Sequence, residues 1–373
     1  MGEWKEYKLT EVADFKTGKL NSNAAVKNGL YPFFTCSPET LSIDEFAFDT
    51  KAILLAGNNA EGNFAIKYYD GKFNAYQRTY VITGKNNKVA DLKYLFYSIK
   101  SQLQEFKNIS IGSATRFLTM QIFDGFILNL PPFTEQKSIA SILSSLDDKI
   151  DLLHRQNATL EKLAETLFRQ WFVEEAKEDW DEGTLDDILT VKGGATPSTS
   201  EPTYWNGNIH WTSPKDITNL NGIYLFDTER KITELGLSKI SSGLLPKGTL
   251  LMSSRAPVGV LAFCEVPVAI NQGYIAILDN KGYSKEFIYL WLKANMDVVH
   301  SFSNGSTFME ISKSAFKTLQ LQIPPKQVTQ DFQLIVEPLF NKIKSNNIQI
   351  RTLTALRDTL LPKLISGEVR VEV

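Results

Sequence analysis

Two textures alternate along the chain. From Trp4 to Phe133, and again from Thr184 to Lys326, short apolar and aromatic runs such as Ala52-Ile53-Leu54-Leu55, Tyr80-Val81-Ile82 and Gly248-Thr249-Leu250-Leu251-Met252 alternate with turn formers such as Gly57-Asn58-Asn59, Asp70-Gly71 and Asn221-Gly222. Apolar runs this short, bounded by Gly and Asn, predict strands. Each stretch therefore reads as a compact α+β globule, with one helical stretch near Lys93 to Phe106 in the first and near Lys285 to His300 in the second. After each Pro-Pro the period changes. Gly and Pro vanish from Thr134 to Asp181, and leucine recurs every seventh residue at Leu146, Leu153, Leu160 and Leu167. Ile150, Asn157 and Ala164 fill the interleaved positions, which makes the a/d seam of a long helix. The second such stretch has Leu339, Leu353 and Leu360 with Ile343 and Ile350, and Asn346 and Arg357 interrupt it. Two heptad helices in one chain are expected to pair.

The alternation is a repeat. Gly112 to Phe172 aligns without a gap onto Gly305 to Ile365 at an offset of 193, and 16 of the 61 pairs are identical. These include Gly112/Gly305, Ser113/Ser306, Pro131/Pro324, Ile150/Ile343 and Leu167/Leu360. The two beginnings match at a different offset, 176, which carries Trp4, Glu6, Leu9, Lys16 and Gly18 onto Trp180, Glu182, Leu185, Lys192 and Gly194. The second copy thus holds 17 more residues in its interior, and the variable part of each copy lies between similar ends. Four segments follow: a globule over 1–133, a helix over 134–182, a globule over 183–325, and a helix with the tail over 326–373. Equivalent globules that each feed one helix predict a pseudo-two-fold arrangement with antiparallel helices. At about 1.5 Å per residue the roughly forty-residue first helix is a rod of about 60 Å.

Charge modifies this picture without overturning it. With 40 basic and 42 acidic side chains the net charge is −2, which excludes a polybasic coat for nucleic acid. The excess acid is local: 134–182 carries 6 basic and 12 acidic residues, whereas 1–133 carries 15 and 13, 183–325 carries 12 of each, and 326–373 carries 7 and 5. Cys36 and Cys264 stand far apart, which reads as neither a disulfide framework nor a zinc site. No apolar run reaches the roughly 18 residues of a membrane span, and the start lacks a signal peptide's apolar stretch. A cytoplasmic protein without membrane contact is expected.

Specific motifs now accumulate. Each globule ends in a segment written here as Leu130-Pro-Pro-Phe-Thr-Glu-Gln-Lys-Ser-Ile-Ala, followed by Leu146-Asp-Asp-Lys-Ile, and the chain closes on Leu361-Pro-Lys-Leu-Ile-Ser-Gly-Glu-Val. The second globule opens on Gly193-Gly-Ala-Thr-Pro-Ser and Tyr204-Trp-Asn-Gly-Asn-Ile-His-Trp, with Ser253-Ser-Arg-Ala-Pro-Val-Gly and Asn271-Gln-Gly further on. Over essentially its whole length the sequence resembles the specificity subunits of type I restriction-modification systems. The resemblance implies an α+β chain: two α/β target recognition domains joined by two long helices that form an antiparallel coiled coil. It implies that each globule reads one half of a bipartite site in double-stranded DNA. It implies that the helices fix the half-site spacing and dock two methyltransferase subunits carrying S-adenosylmethionine, that a motor-nuclease subunit can join, and that this chain itself is non-catalytic and holds no cofactor. The first globule departs from the pattern, with Lys16-Thr-Gly-Lys and Gly57-Asn-Asn-Ala-Glu-Gly where the second has Lys192-Gly-Gly-Ala-Thr-Pro-Ser and Ser254-Arg-Ala-Pro-Val-Gly, so the full site is expected to be asymmetric.

Side-chain chemistry then nominates contacts. Arg255, after Ser254 in a turn between apolar runs, offers a guanidinium fork to guanine or phosphate, and Asn58 at the equivalent place offers an amide fork to adenine. Gln77 and Gln272 precede β-like runs in both copies, Arg78 adds charge beside Gln77, and Arg116 follows the repeated Gly-Ser, where backbone amides could approach phosphate. Lys72 and Lys215 are candidates for phosphate contact, and Tyr204, Trp205 and Trp211 either line a groove or fill the core. The coil positions Leu146, Ile150, Leu153, Leu160, Leu167, Leu339, Ile343, Leu353 and Leu360 read as structural, with Asn157 and Asn346 fixing register. Asn129-Leu-Pro-Pro-Phe resembles an amino-methyltransferase motif but carries Leu130 where that chemistry needs a polar residue, and no Gly-rich cofactor or Walker-type loop precedes it. The three histidines lack metal-ligand spacing. A related restriction system with another methyltransferase, and a coiled-coil scaffold that never reads bases, remain the alternatives.

Overall fold

The computed structural model describes residues 3–86, 88–112, 114–177, 179–305 and 309–372. It divides into two compact units, Met1–Asp151 with Arg351–Val373, and Leu152–Ile350. These cut across the four linear segments, because each unit takes part of both long helices. Ser113 and Ser306 of the repeated Gly-Ser pairs lie outside the described residues.

The first unit runs β1 (Lys5–Lys8), α1 (Leu9–Val12), β2 (Ala13–Thr17), β3 (Tyr31–Phe34), β4 (Thr40–Ile43), β5 (Phe48–Ala56), β6 (Asn58–Asn59), β7 (Ile66–Ala75), β8 (Thr79–Gly84), α2 (Leu92–Ser101), α3 (Leu103–Ile109), β9 (Arg116–Phe117), α4 (Met120–Asp124), β10 (Ile127–Leu130) and the start of α5 (Phe133–Arg169). Its main sheet has the order β2-β8-β5-β7-β3-β4. The apolar run at 52–55 lies in the middle of β5 and is fully buried, as a run flanked on both sides by other strands must be. Against it packs α2, capped by Asp91 Oδ1, which accepts from Tyr94 N–H at 3.0 Å. The helical stretch expected near 93–106 is two helices with a break at Gln102.

The second unit runs from the end of α5 through β11 (Asp181–Thr184), α6 (Leu185–Ile188), β12 (Thr190–Gly193), β13 (Trp205–Thr212), α7 (Pro214–Thr218), β14 (Tyr224–Leu225), β15 (Arg230–Ile232), α8 (Glu234–Ser238), β16 (Leu250–Ser253), β17 (Leu261–Cys264), β18 (Val268–Ile270), β19 (Tyr274–Asp279), α9 (Lys285–Ala294), α10 (Met296–Ser301), α11 (Lys313–Lys317), β20 (Gln320–Ile323) and α12 (Lys326–Ser366), whose last part belongs to the first unit. Its sheets have the orders β12-β19-β16-β17-β14 and β15-β13-β18.

The same registers recur in both units. β1 pairs with β10 and β11 with β20, and Lys5↔Leu130 maps onto Asp181↔Ile323 by the 176 and 193 offsets read from the sequence. Lys8 N–H donates to Glu11 Oε2 at 2.9 Å, and Thr184 N–H to Asp187 Oδ2 at 2.8 Å, so the short helices α1 and α6 start in the same way. Beyond Thr212 the units part. Phe34 and Ile53 are 19 residues apart, while the equivalent Thr212 and Leu250 are 38 apart, and the interval that holds β4 in the first unit holds α7, β14, β15 and α8 in the second. Pro267, unable to donate to a ladder, separates β17 from β18 where the first unit has the single long strand β7.

The helix segments run antiparallel within each unit. In the first, Glu135 accepts from Arg370 Nε at 2.6 Å and Asp147 from Arg357 Nη1 at 2.7 Å, so partner numbers fall as α5 advances. In the second, Asn346 Nδ2 donates to Asn157 Oδ1 at 2.9 Å, and the Phe168 and Phe332 ring centroids lie 6.2 Å apart. Ile150, Leu153 and Ile343 are buried, whereas Leu146, Leu160, Leu167, Leu339, Leu353 and Leu360 are half-buried. Arg357, which breaks the apolar pattern, answers Asp147 together with Lys100 at 3.4 Å and the Tyr97 hydroxyl at 2.8 Å. Burial pushes the Asp147 carboxyl up, yet these three partners outweigh it and hold the group below the usual carboxylate range. Among the described residues no helix is long and apolar enough to cross a membrane, and no cluster of His, Cys, Asp and Glu could hold a metal ion.

Candidate nucleic-acid interface

The motif residues sort into scaffold and surface. Gln136 is a staple: its Oε1 accepts from Asp91 N–H, and its Nε2 donates to the Val89 and Pro131 carbonyls, all at 2.9 Å. In the closing Ser-Gly-Glu, Gly367 sits at φ +79, where a left-handed residue ends the helix and Val369 N–H turns back to the Lys363 carbonyl at 3.1 Å. Gly18 and Gly194 answer a common demand. A Cβ on Gly18 would stand 1.7 Å from the Ala75 carbonyl oxygen, and one on Gly194 would stand 2.1 Å from that of Ile270. Cys264 is buried in β17, and burial pushes its thiol up to about 12, so it is packing rather than a nucleophile.

At one edge of each unit three segments meet in the same way. In the first unit Gly57 N–H donates to the Arg78 carbonyl at 2.8 Å and Leu118 N–H to the Gly57 carbonyl at 2.9 Å. In the second, Ser254 N–H donates to the Gly273 carbonyl at 2.8 Å and Ile311 N–H to the Ser254 carbonyl at 3.0 Å. Beside each, paired hydrogen bonds join Ile111 to Phe117 and Asn304 to Glu310. Gly112 and Gly305, the next residues after Ile111 and Asn304, sit at φ +116 and +134, a region that favours glycine. On this frame Asn58 lies opposite Phe117 in the β6–β9 ladder, and Arg255 lies opposite Glu310.

The side chains on the two frames differ. In the first unit Gln77 Nε2 donates to Asn21 Oδ1 at 2.7 Å, the Arg78 guanidinium lies 5.4 Å from the Phe117 ring centre, and Arg116 reaches the Ser110 carbonyl at 3.3 Å. Asn58 Oδ1 is out of reach of solvent and has no hydrogen-bond partner. In the second unit Thr196 Oγ1 donates to Gln272 Oε1 at 2.6 Å, and Arg255 Nη1 lies 3.9 Å from Glu310 Oε2 with both side chains partly exposed. Ala256, the next residue, sits at φ +54, which costs a residue with a Cβ about 1 kcal/mol, so the loop carrying Arg255 is strained.

Five of the nominated residues are therefore drawn into equivalent edges: Asn58, Gln77 and Arg78 in one, Arg255 and Gln272 in the other. Arg116 sits beside the first, and Pro214 approaches Gly273, which brings α7 and its exposed Lys215 next to the second. Lys215 is tied to Glu229 at 2.9 Å. Five nominated residues stand elsewhere than at these edges or act otherwise than by their side chains. Ser254 is buried and acts through its backbone. Trp205 and Trp211 are buried and edge-on to each other at 5.1 Å, with indole N–H groups donating to the Ser198 and Ala195 carbonyls and the Arg230 guanidinium on the Trp205 face. They and half-buried Tyr204 belong to a small core, as large aromatics usually do. Lys72 stands apart, opposite Asp49 in the β5–β7 ladder with its ammonium over Phe46. Sequence reading missed Phe117 and Glu310. Their signal is the 193 offset itself, which aligns Phe117 with Glu310 as a mismatch.

Comparison with known proteins agrees with this plan. The model of the type I restriction modification DNA specificity domain matches residues 1–162 and 177–355. The specificity subunit of type I restriction enzyme MjaIX from Methanocaldococcus jannaschii is 35% identical over 190 residues, 49% of this chain and 44% of that protein. That of EcoDI from Escherichia coli is 38% identical over 170 residues, 45% of this chain and 36% of that protein, so these two matches take in less than half of the relatives. That of HindI from Haemophilus influenzae aligns over 99% of this chain and all of that protein at 22% identity. The crystal structure of a type I S subunit from M. genitalium superposes with a TM-score of 0.67 at 20% identity, covering 97% of this chain and 96% of that one, which shows a shared fold. With the family model matched twice, across both units, the chain belongs to the type I restriction-modification DNA specificity family.

Proposed function

We propose that this chain is the DNA-reading subunit of a type I restriction-modification complex, in which each unit reads one half of a bipartite, asymmetric duplex site through its edge cluster. The observation that carries the reading is the paired frame. Equal backbone registers hold Asn58, Gln77 and Arg78 in one unit and Arg255 and Gln272 in the other. A scaffold kept while its polar side chains vary is what two modules with different targets require. The long helices form an antiparallel coiled coil related by a pseudo-two-fold repeat, and they set the distance between half-sites. In this reading Arg116, Lys215 and the Gly112 and Gly305 turns contact phosphate and fix orientation.

The helices also dock two methyltransferase subunits, which supply S-adenosylmethionine chemistry, and a motor-nuclease subunit can join them. Ile142, Lys149 and Leu356 of the first unit recur as Ile335, Lys342 and Leu163 in the second, and all six are exposed. Packing within the chain gives no reason to keep these identities. One kind of partner bound twice does. The chain is expected to run in the cytoplasm as a non-catalytic subunit.

The test is to express the chain with its methyltransferase subunits in a host lacking other methylation and to map modified bases. A single motif of two unlike half-sites with a fixed gap is expected. Methylation by the chain without partners, or equal and salt-sensitive affinity for all duplexes, would overturn the reading.

A further inference from the structure

The frame equates two cross-strand pairs, Asn58 with Phe117 and Arg255 with Glu310. Side chains directly opposite in an antiparallel ladder rise on the same face about 5 Å apart, close enough to meet the two bases of one pair. Their chemistries divide cleanly. An amide fork matches adenine N6 and N7, and a phenyl ring suits the thymine methyl; a guanidinium fork matches guanine O6 and N7, and a carboxylate accepts from cytosine N4. We propose that these two pairs set base-pair identity at one equivalent position of each half-site, A·T for the first unit and G·C for the second.

This rests on the DNA-reading function above and names the residues that give it sequence preference. Glu310 is the most telling member. A half-exposed carboxylate beside a DNA-binding arginine repels phosphate, so it is ill suited to a surface that only grips the backbone. Accepting from cytosine turns that liability into discrimination. At 3.9 Å its contact with Arg255 is long, so neither group is locked away from a base edge. In the first unit the Asn58 amide oxygen is buried without a partner, so no hydrogen bond holds the side chain back, and presenting the fork to adenine requires it to rotate outward. Arg78 has no counterpart in the second unit, where Gly273 occupies its place, so it is not part of the shared pair; its guanidinium lies against the Phe117 ring and supports that member from the side.

The experiment exchanges the pairs in the full chain, co-expressed with its methyltransferase subunits, and maps the methylated motif. Asn58→Arg with Phe117→Glu is expected to convert one A·T of the first half-site to G·C and leave the second half-site untouched. Arg255→Asn with Glu310→Phe should do the reverse. Should either exchange fail to fold, Asn58→Ala and Glu310→Gln serve instead, each relaxing discrimination at its one position about ten-fold, while Phe117→Leu keeps the A·T preference. A motif unchanged at every position, or a uniform loss of methylation without relaxation at one position, overturns the pair assignment. A wild-type complex that yields no bipartite motif is a distinct result, because it overturns DNA reading itself.

Discussion

Asn157 and Asn346 occupy seam positions where leucine would bury more apolar area, and each gives the other its partner: Asn346 Nδ2 donates to Asn157 Oδ1 at 2.9 Å with both side chains buried. Asn157→Ala should therefore cost about 1–3 kcal/mol, because it strands a buried amide, and a lowered thermal midpoint would register the loss. Replacing both with leucine should recover stability while loosening register, visible as broadened amide resonances. Both asparagines were legible in the sequence, since a polar residue at a strict apolar period announces itself. Glu286 was not. It is buried in the first turn of α9, accepts from Gln333 Nε2 at 3.1 Å, and leaves Gln333 Oε1 without a partner. Burial, the largest influence, raises its carboxyl above the ordinary range. A raised carboxyl means that the folded state holds the proton more tightly, so stability falls as pH rises from the unfolded value through the folded one. Glu286→Gln imitates the protonated form and can donate to Gln333 Oε1. It should stabilise by about 1 kcal/mol at pH 7, and the gain should vanish in acid. A gain that grows as the pH falls would contradict this.

Among the elements, the strands and helices that carry the repeat were readable because buried apolar runs and heptads leave a period. The 193 offset even reaches further back than the sequence match: α2 at 92–101 maps onto α9 at 285–294. Less readable was how α5 and α12 are held at their polar positions. Arg357 looked like a flaw in the heptad, yet with Lys100 and Tyr97 it surrounds Asp147. Because these partners lower the Asp147 carboxyl despite burial, its contribution is present above the unfolded value near 4 and is lost as pH falls through the folded one. Asp147→Ala should destabilise the first unit by about 2 kcal/mol at pH 7, leaving a guanidinium, an ammonium and a phenol without their acceptor. Melting curves of mutant and wild type should converge below pH 4, and a constant gap down to pH 2 would rule this linkage out. The edge clusters were only half legible. Asn58 and Arg255 stood out because a turn presents them, whereas Phe117 and Glu310 are joined to them by strand pairing that no local pattern encodes.

For the molecule as a whole, the proposed ruler makes a prediction that separates distance from facing. One heptad inserted in each long helix lengthens it by about 10.5 Å, close to three base pairs at about 3.4 Å each. Seven residues return a helix to within about 20° of its starting face, but three base pairs turn the duplex by roughly 100°, because a full turn takes about 10–10.5 pairs. A single inserted heptad should therefore move the second reading edge to the right height on the wrong side of the groove, and recognition should fall for every spacer tried. Three heptads add about 31.5 Å, near nine base pairs and almost one turn of DNA. Methylation should then return on sites whose gap is nine or ten base pairs longer. If the single insertion leaves both the gap and the level of methylation unchanged, the helices are tethers rather than a ruler, and the spacing must be imposed by the methyltransferase subunits instead.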